Sequence, residues 1–477
     1  MISFANHFNL GKTQPELDFV NVPINADIPL FIDPFAISQR TDRWSQDCHS
    51  VIVEFFSRVI HEIRSGNSSA AKELLLYLRE PNETRFGFSK HRPRGAGIGE
   101  DQSEQIFQAL SESTAVKTGF INSLQECELM IEGIARDKIS DLTTNIIRGK
   151  LAEYTREQCG LLGISVSQVS LSPYFDAAQS RWISSYWNLP VAGARPLLLV
   201  PKAIARFDPA YDHQRYYRNF VLEYLQAENL EAHSSLVHTL KNGRRVVYKK
   251  DVAATFRCTK ENLFKFSRNH PEVLGEYREH LERLQRTGPV SEVDSEDEPL
   301  VAEALTAALQ SIAVGSDQAS EYHSLMIGIV EFLFFPNLLC PQKEREIHQG
   351  RKRIDIVMQN GARVGIFYRL HTVRNFPCAF VAFECKNYRN DVANPELDQI
   401  SGRFSPNRGR IGFVCCRNFE DRAHFIERCK DTFKDDRGLV VALDDETVIH
   451  CLHLIESGRR RDLDEVFNRL IDEVWYS

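Results

Sequence analysis

The sequence predicts an α/β domain at the C-terminal end, preceded by a larger, mostly helical α+β part. Three observations carry this. Residues 351–358 and 378–388 both read as strands, and helix and strand patterns alternate from there to residue 477. Earlier, residues 51–63 and 70–78 carry helical periodicity. A chain of 477 residues is also too long for one ordinary domain.

In the first strand, Ile354, Ile356 and Met358 fall on one face and Arg353, Asp355 and Val357 on the other. The second is apolar from Cys378 to Phe383, as in a strand covered on both faces, and then changes to Glu384-Cys385-Lys386. Glu384 and Lys386, two residues apart on a strand, point to the same side. If the strands pair, Asp355 approaches that side too. Two carboxylates brought close repel one another unless a positive charge lies between them. A hard divalent cation such as Mg²⁺ fills that role, and it can also acidify a bound water and stabilise charge on a phosphate. The adjacent Lys386 can orient that water or neutralise charge as an ammonium, or act as a base where its pKa is depressed to give the neutral amine.

Asp355 followed by Glu384-Cys385-Lys386 on the next strand resembles the PD-(D/E)XK, or restriction-endonuclease-like, nuclease superfamily. Within it the chain looks closest to the Mrr-type restriction enzymes and Holliday-junction resolvases. Ile354-Asp355 stands where the family name has Pro-Asp. The resemblance covers roughly the last third of the chain and implies a mixed central sheet flanked by helices. It also implies a metal site of Asp355, Glu384 and the backbone carbonyl of Cys385, with an acidic residue on the preceding helix, for which Glu321 is preferred to Glu331. A glutamine on the following helix belongs to the pattern, and Gln399 matches it. That helix is expected from Asn394 as N-cap and Pro395 as first helical residue, with Leu397, Ile400 and Phe404 forming its buried stripe. A strand over Ile411–Cys416, a helix over 421–433, a strand over 438–443 and helices from about Glu446 complete the order.

The expected division is 1–164, an α+β regulatory domain; 165–286, a helix-rich aromatic region for target recognition; 287–299, an acidic linker; and 300–477, the nuclease domain. The linker has the composition expected of one, polar, acidic and flanked by proline. Aromatics such as Trp182, Tyr186, Tyr216 and Tyr217, interleaved with arginines, fit a helical core better than base stacking. Asp33 before Pro34 reads as a turn, residues 95–100 as a glycine-containing turn rather than a phosphate loop, and His450 and His453 as ordinary helix residues.

A net charge of −7 argues against a chain that coats nucleic acid indiscriminately, so DNA contact must be local. Lysine and arginine are absent from Thr287 to Gln342 and return around the motif. Lys352, Arg353, Arg403, Arg408 and Arg410 are therefore the expected phosphate contacts. Eleven scattered cysteines without metal-type spacing fit reduced thiols, and no targeting or membrane segment is expected, which points to the cytoplasm.

The expectation is thus a cytoplasmic Mg²⁺-dependent endodeoxyribonuclease, with Mn²⁺ as substitute. Asp355, Glu384, Lys386 and Gln399 form its catalytic set and DNA is its substrate. By analogy of fold and motif it serves prokaryotic defence, as a homo-oligomer with a defence-system partner protein. The alternatives are a catalytically silent DNA-binding or scaffold subunit, and an RNA-directed nuclease.

Overall fold

The computed structural model describes residues 2–78, 80–87, 98–287, 298–343, 355–387 and 394–476. Residues 288–297 of the expected 287–299 linker, Lys352 and Arg353, and residues 95–97 of the glycine-containing turn lie outside them; Thr287 ends the preceding helix, and Glu298 and Pro299 begin the following one.

The C-terminal part is built on one five-stranded sheet in sequential order: β1 (Leu338–Gln342), β2 (Ile356–Asn360), β3 (Phe380–Lys386), β4 (Ile411–Cys416) and β5 (Leu439–Asp444). The first three strands pair antiparallel, with Ile356 opposite Phe383 and Met358 opposite Val381. From β3 onward the pairing is parallel, with Glu384 beside Val414 and Cys416 beside Asp444. Parallel neighbours need long crossovers. Helix α3 (Asn394–Ser401) lies between β3 and β4, and α4 (Arg422–Lys434), capped by the Asp421 side chain, between β4 and β5. Helices α1 (Glu298–Ser311) and α2 (Ala319–Phe334) precede the sheet; α5 (Asp445–Glu456) and α6 (Leu463–Trp475) follow it.

Every residue of β4 is buried, as its uninterrupted apolar sequence demands of a central strand. On one side of the sheet the Phe383 and Phe413 rings stack at 5.1 Å. Phe334 of α2 packs on both, and Phe467 of α6 meets Phe334 at 4.6 Å. This aromatic nucleus fixes α2 and α6 against β4 and against β3, which carries Glu384.

The N-terminal part has its own core, running from Phe4 to Leu281. The boundary expected at 164/165 passes through it: Leu151 and Tyr154 of helix Arg148–Leu162 share that core with Phe175 and Leu189 beyond the boundary. The region expected to be helix-rich from 165 begins instead with short antiparallel pairs, such as Ser167–Ser170 with Tyr186–Leu189, and turns helical only from His213. The alternation of its aromatics with polar residues is a strand pattern, in which Tyr186 points outward while Leu189 is buried. Tyr211, Tyr216 and Tyr217 are core residues. Asp33 is the buried N-cap of the short helix Pro34–Ser38.

The two parts meet along β1. Leu338 faces the C-terminal core, while Leu339 and Cys340 belong to the N-terminal one. Alternation alone would return Cys340 to the Leu338 side; a register shift between Leu339 and Gln342 prevents that. Backbone groups of this stretch are taken up by N-terminal side chains: the Cys340 amide donates to Asp18 at 3.1 Å, and Gln158 donates to the Pro341 carbonyl at 2.8 Å. A bare sheet edge is a template for aggregation, and here it is covered. Helix α2 is gripped similarly. Lys12 donates to the Ser324 carbonyl at 2.9 Å, and Lys202 pairs with Glu331 at 3.4 Å, both side chains fully enclosed. A Cβ at Gly328 would stand 2.6 Å from Lys12 Nζ and 2.7 Å from a Glu16 oxygen, so glycine permits the close approach. Among the described residues, no helix is long and apolar enough to cross a membrane.

Candidate active site

The site forms where β2 begins and β3 ends. One residue beyond the Ile356–Phe383 pair, Asp355 lies beside the Glu384–Cys385 step, and its Oδ2 accepts from the Cys385 amide at 2.7 Å. Glu384 is fully buried. Its Oε1 accepts from Lys386 Nζ at 2.7 Å and from Gln399 Nε2 at 2.5 Å, and its Oε2 from Arg403 Nη1 at 3.1 Å. Strand periodicity puts Lys386 beside Glu384, and the helical offset of four brings Gln399 and Arg403 to the same carboxylate from α3 and the turn after it. Burial first, and then repulsion from Asp355, raises the Glu384 pKa; Lys386 and Arg403 oppose the rise.

From α2, the residue beside Asp355 is His323, whose Nε2 lies 3.8 Å from Asp355 Oδ1. Burial lowers the His323 pKa, against the pull of Asp355, with Lys343 and Lys12 adding to the lowering. Glu321, preferred from the sequence, is exposed and two residues earlier, about 200° around the helix, so it projects to the other side. Glu331 is committed to Lys202. A rule that seeks acids passes over a histidine; the signal available in the sequence was only its place one turn into the helix.

Lys386 opens onto a cavity of about 570 Å³ lined by residues 313–319, Cys385 and Asn387, at the N-terminal end of α2. The lining is tied to the strand ends. Asn387 donates to the Ala313 and Gly315 carbonyls at 3.0 and 2.7 Å, and Arg417, just after β4, donates to Asn387 at 3.2 Å. Arg417 pairs in turn with Asp445, at the start of α5, at 2.7 Å. Burial pushes the Asp445 carboxyl up to about 6 despite that arginine. The sequence reading missed Asn387, Arg417 and Asp445, which share no motif and meet only because three parallel strands end together.

The expected phosphate contacts fare differently. Arg403 is buried on Glu384, with Nε and Nη2 lacking hydrogen-bond partners among the described residues. Arg408 and Arg410 sit at the opposite end of the sheet, because the crossover through α3 returns the chain to the start of β4 before the next strand runs forward. Ile411 pairs with Val381, four residues before Cys385, or roughly 13 Å away. Arg410 is bound to Asp436 there. Proximity in sequence to the motif was not proximity in space. His450 and His453 are exposed on α5.

Among the described residues, the acidic and histidine side chains whose ligand atoms all fall within 4.8 Å are Glu128, Asp212 and His213, in the N-terminal part. His213 Nδ1 lies 2.6 Å from Glu128, and Lys260 lies 3.8 Å from the same oxygen. These contacts give Glu128 a cationic partner within the fold. Asp212 is the N-cap of the following helix. The cluster reads as structural.

A family described as a domain of unknown function (DUF8370) matches residues 9–212. The match spans the 164/165 boundary, in keeping with the continuous core. No curated protein and no solved structure matches the chain.

Proposed function

We propose that the chain is a metal-dependent endonuclease that hydrolyses DNA phosphodiester bonds, with its site at the end of β3. The observation that carries this reading is the meeting of Asp355, Glu384, Lys386 and Gln399 within hydrogen-bonding contacts of one strand end. The residues fit a divalent ion. Each carboxylate oxygen can accept twice; Glu384 Oε2 has one donor, and Asp355 Oδ1 has no hydrogen-bond donor among the described residues. Asp355 and Glu384 would hold Mg²⁺ or Mn²⁺, which supplies an acidified water and neutralises phosphate charge.

The protein's own groups divide the remaining work. Cys385 N–H fixes the Asp355 carboxylate; Gln399 and Arg403 orient Glu384. Gln399 donates to the Glu384 carboxylate. Lys386, facing the cavity, orients the attacking water and holds a phosphate oxygen, aided by the positive end of α2. By resemblance the product carries a 5′-phosphate. Prokaryotic defence, a cytoplasmic setting, a homo-oligomer and a defence-system partner protein belong to the same proposal, and so does a recognition role for the N-terminal part.

A second reading, a silent DNA-binding or scaffold subunit, has one observation in its favour: Glu384 already has three donors. Incubation of the full chain with supercoiled, linear and single-stranded DNA and with RNA, plus Mg²⁺ or Mn²⁺, separates the readings. Metal-dependent cutting of DNA is expected. Cutting of RNA alone would reassign the substrate, and DNA binding without cutting would favour the silent subunit.

A further inference from the structure

We propose that the hairpin around Asn242-Gly243, in the N-terminal part, is a docking surface for the phosphate backbone of duplex DNA. Lys241, Arg244, Arg245 and Lys250 are its contacts. This rests on the DNA-directed reading above and deepens it, by giving the substrate an attachment built from residues other than the reacting ones.

The chain carries a net charge of −7, yet from Ala232 to Lys250 it has five lysines and arginines and no acid. Strand His238–Thr239 pairs antiparallel with Arg245–Val246. The turn is closed by the Gly243 amide on the Leu240 carbonyl at 2.9 Å and the Leu240 amide on the Arg244 carbonyl at 2.8 Å. Gly243, at φ +81°, supplies the left-handed residue that this turn requires. Every residue from His238 to Arg245 is exposed. The base of the hairpin is fastened. Val247 is buried and its carbonyl accepts from Gln226 at 2.5 Å, while Lys249 donates to the Arg218 carbonyl at 2.9 Å and to Glu223 at 2.8 Å. A projecting two-stranded ribbon on a fixed base is of a size that enters a DNA groove.

Exposed cations such as Lys72, Arg136 and Lys265 have carboxylates beside them. The hairpin's cations do not, among the described residues. The acids that flank it in sequence space are committed, Asp251 to His238 and Glu223 to Lys249. Arg245 donates to His233 Nδ1 at 2.9 Å, and Lys250 lies 5.5 Å from the Tyr248 ring centroid, contacts that cancel no charge. Crowded cations repel one another, and a phosphate backbone, with one negative charge per about 1.7 Å of duplex axis, relieves that repulsion. Single strands are held on successive aromatic rings, but Tyr248 is the one Phe, Tyr or Trp from Leu225 to Thr255. The surface therefore suits a duplex.

Fluorescence anisotropy of a short labelled DNA duplex, titrated with the full chain in EDTA over a range of salt, tests this without any cutting. With Lys241, Arg244 and Arg245 all changed to Ser, affinity should fall by at least about tenfold, and the slope of log Kd against log salt by about 2 to 3. Lys241→Ser alone, at the exposed tip, should lower the slope by about 1, which covers a folding defect in the triple variant. Changing Lys72, Arg136 and Lys265 to Ser removes as much charge elsewhere and should leave affinity within about twofold, because salt screens distant charges. Asp355→Ala should bind no more weakly than the native chain, so this surface and the metal site fail separately. An unchanged slope in both hairpin variants would overturn the docking surface and leave the cleavage reading standing. Equal losses in the control triple variant, tighter binding of duplex RNA or of single strands, or no duplex binding by the native chain would overturn it too.

Discussion

Arg403 Nη1 stands 3.1 Å from Glu384 Oε2, and both side chains are almost wholly enclosed. The guanidinium offsets a buried charge that burial and Asp355 both disfavour. Replacing Arg403 by Met should therefore destabilise the fold by about 3 kcal/mol, the range seen when one partner of a buried pair is removed. Urea denaturation measures this. A change under about 0.5 kcal/mol, typical of a surface position, would place Arg403 among ordinary surface cations.

The contact between the two halves predicts a second outcome. Lys202→Met leaves Glu331 enclosed without its 3.4 Å partner and should cost about 3 kcal/mol, while Lys202→Met with Glu331→Leu should recover most of it. A thermal-unfolding mutant cycle checks the coupling; additive losses would deny it.

A C-terminal fragment beginning near residue 300 bares Leu339, Cys340 and the β1 edge that Asp18 and Gln158 cover. Such a fragment should aggregate or unfold where the full chain stays monodisperse in gel filtration. A well-behaved, cooperative fragment would show that the N-terminal part is dispensable for folding.

How far the site could be read from sequence follows from what each signal depends on. The strand over Ile411–Cys416 lies where its apolar run put it, and the helix ending in Lys434 begins after the Asp421 cap. Those signals are local. Asp355, Glu384, Lys386 and Gln399 were singled out by a strand-and-helix pattern only tens of residues long. What failed was long-range. Arg410 is near the motif in sequence yet at the other end of the strand, since a parallel crossover returns the chain there. The Asn387–Arg417–Asp445 chain joins the ends of three strands and carries no local periodicity. The grip of Lys12 on the Ser324 carbonyl spans over three hundred residues.

Asp445 gives a pH prediction. Its folded carboxyl, raised from 3.8 to about 6, holds its proton more tightly than in the unfolded chain. Its contribution to stability is thus fully present below about pH 4 and is lost as the pH rises through about 6. The stability difference between the native chain and Asp445→Asn should change over that interval and level off above it. A difference constant from pH 4 to 7 would contradict the raised carboxyl.

The central claim is tested most directly by the rate of DNA cleavage with Mg²⁺ or Mn²⁺ for the full chain, Asp355→Ala and Lys386→Ala, each verified as folded. The account predicts metal-dependent cutting by the native chain, at least about 10²-fold slower in Lys386→Ala and absent in Asp355→Ala. Undiminished cutting in both variants, or a native chain inert with either metal, would contradict it.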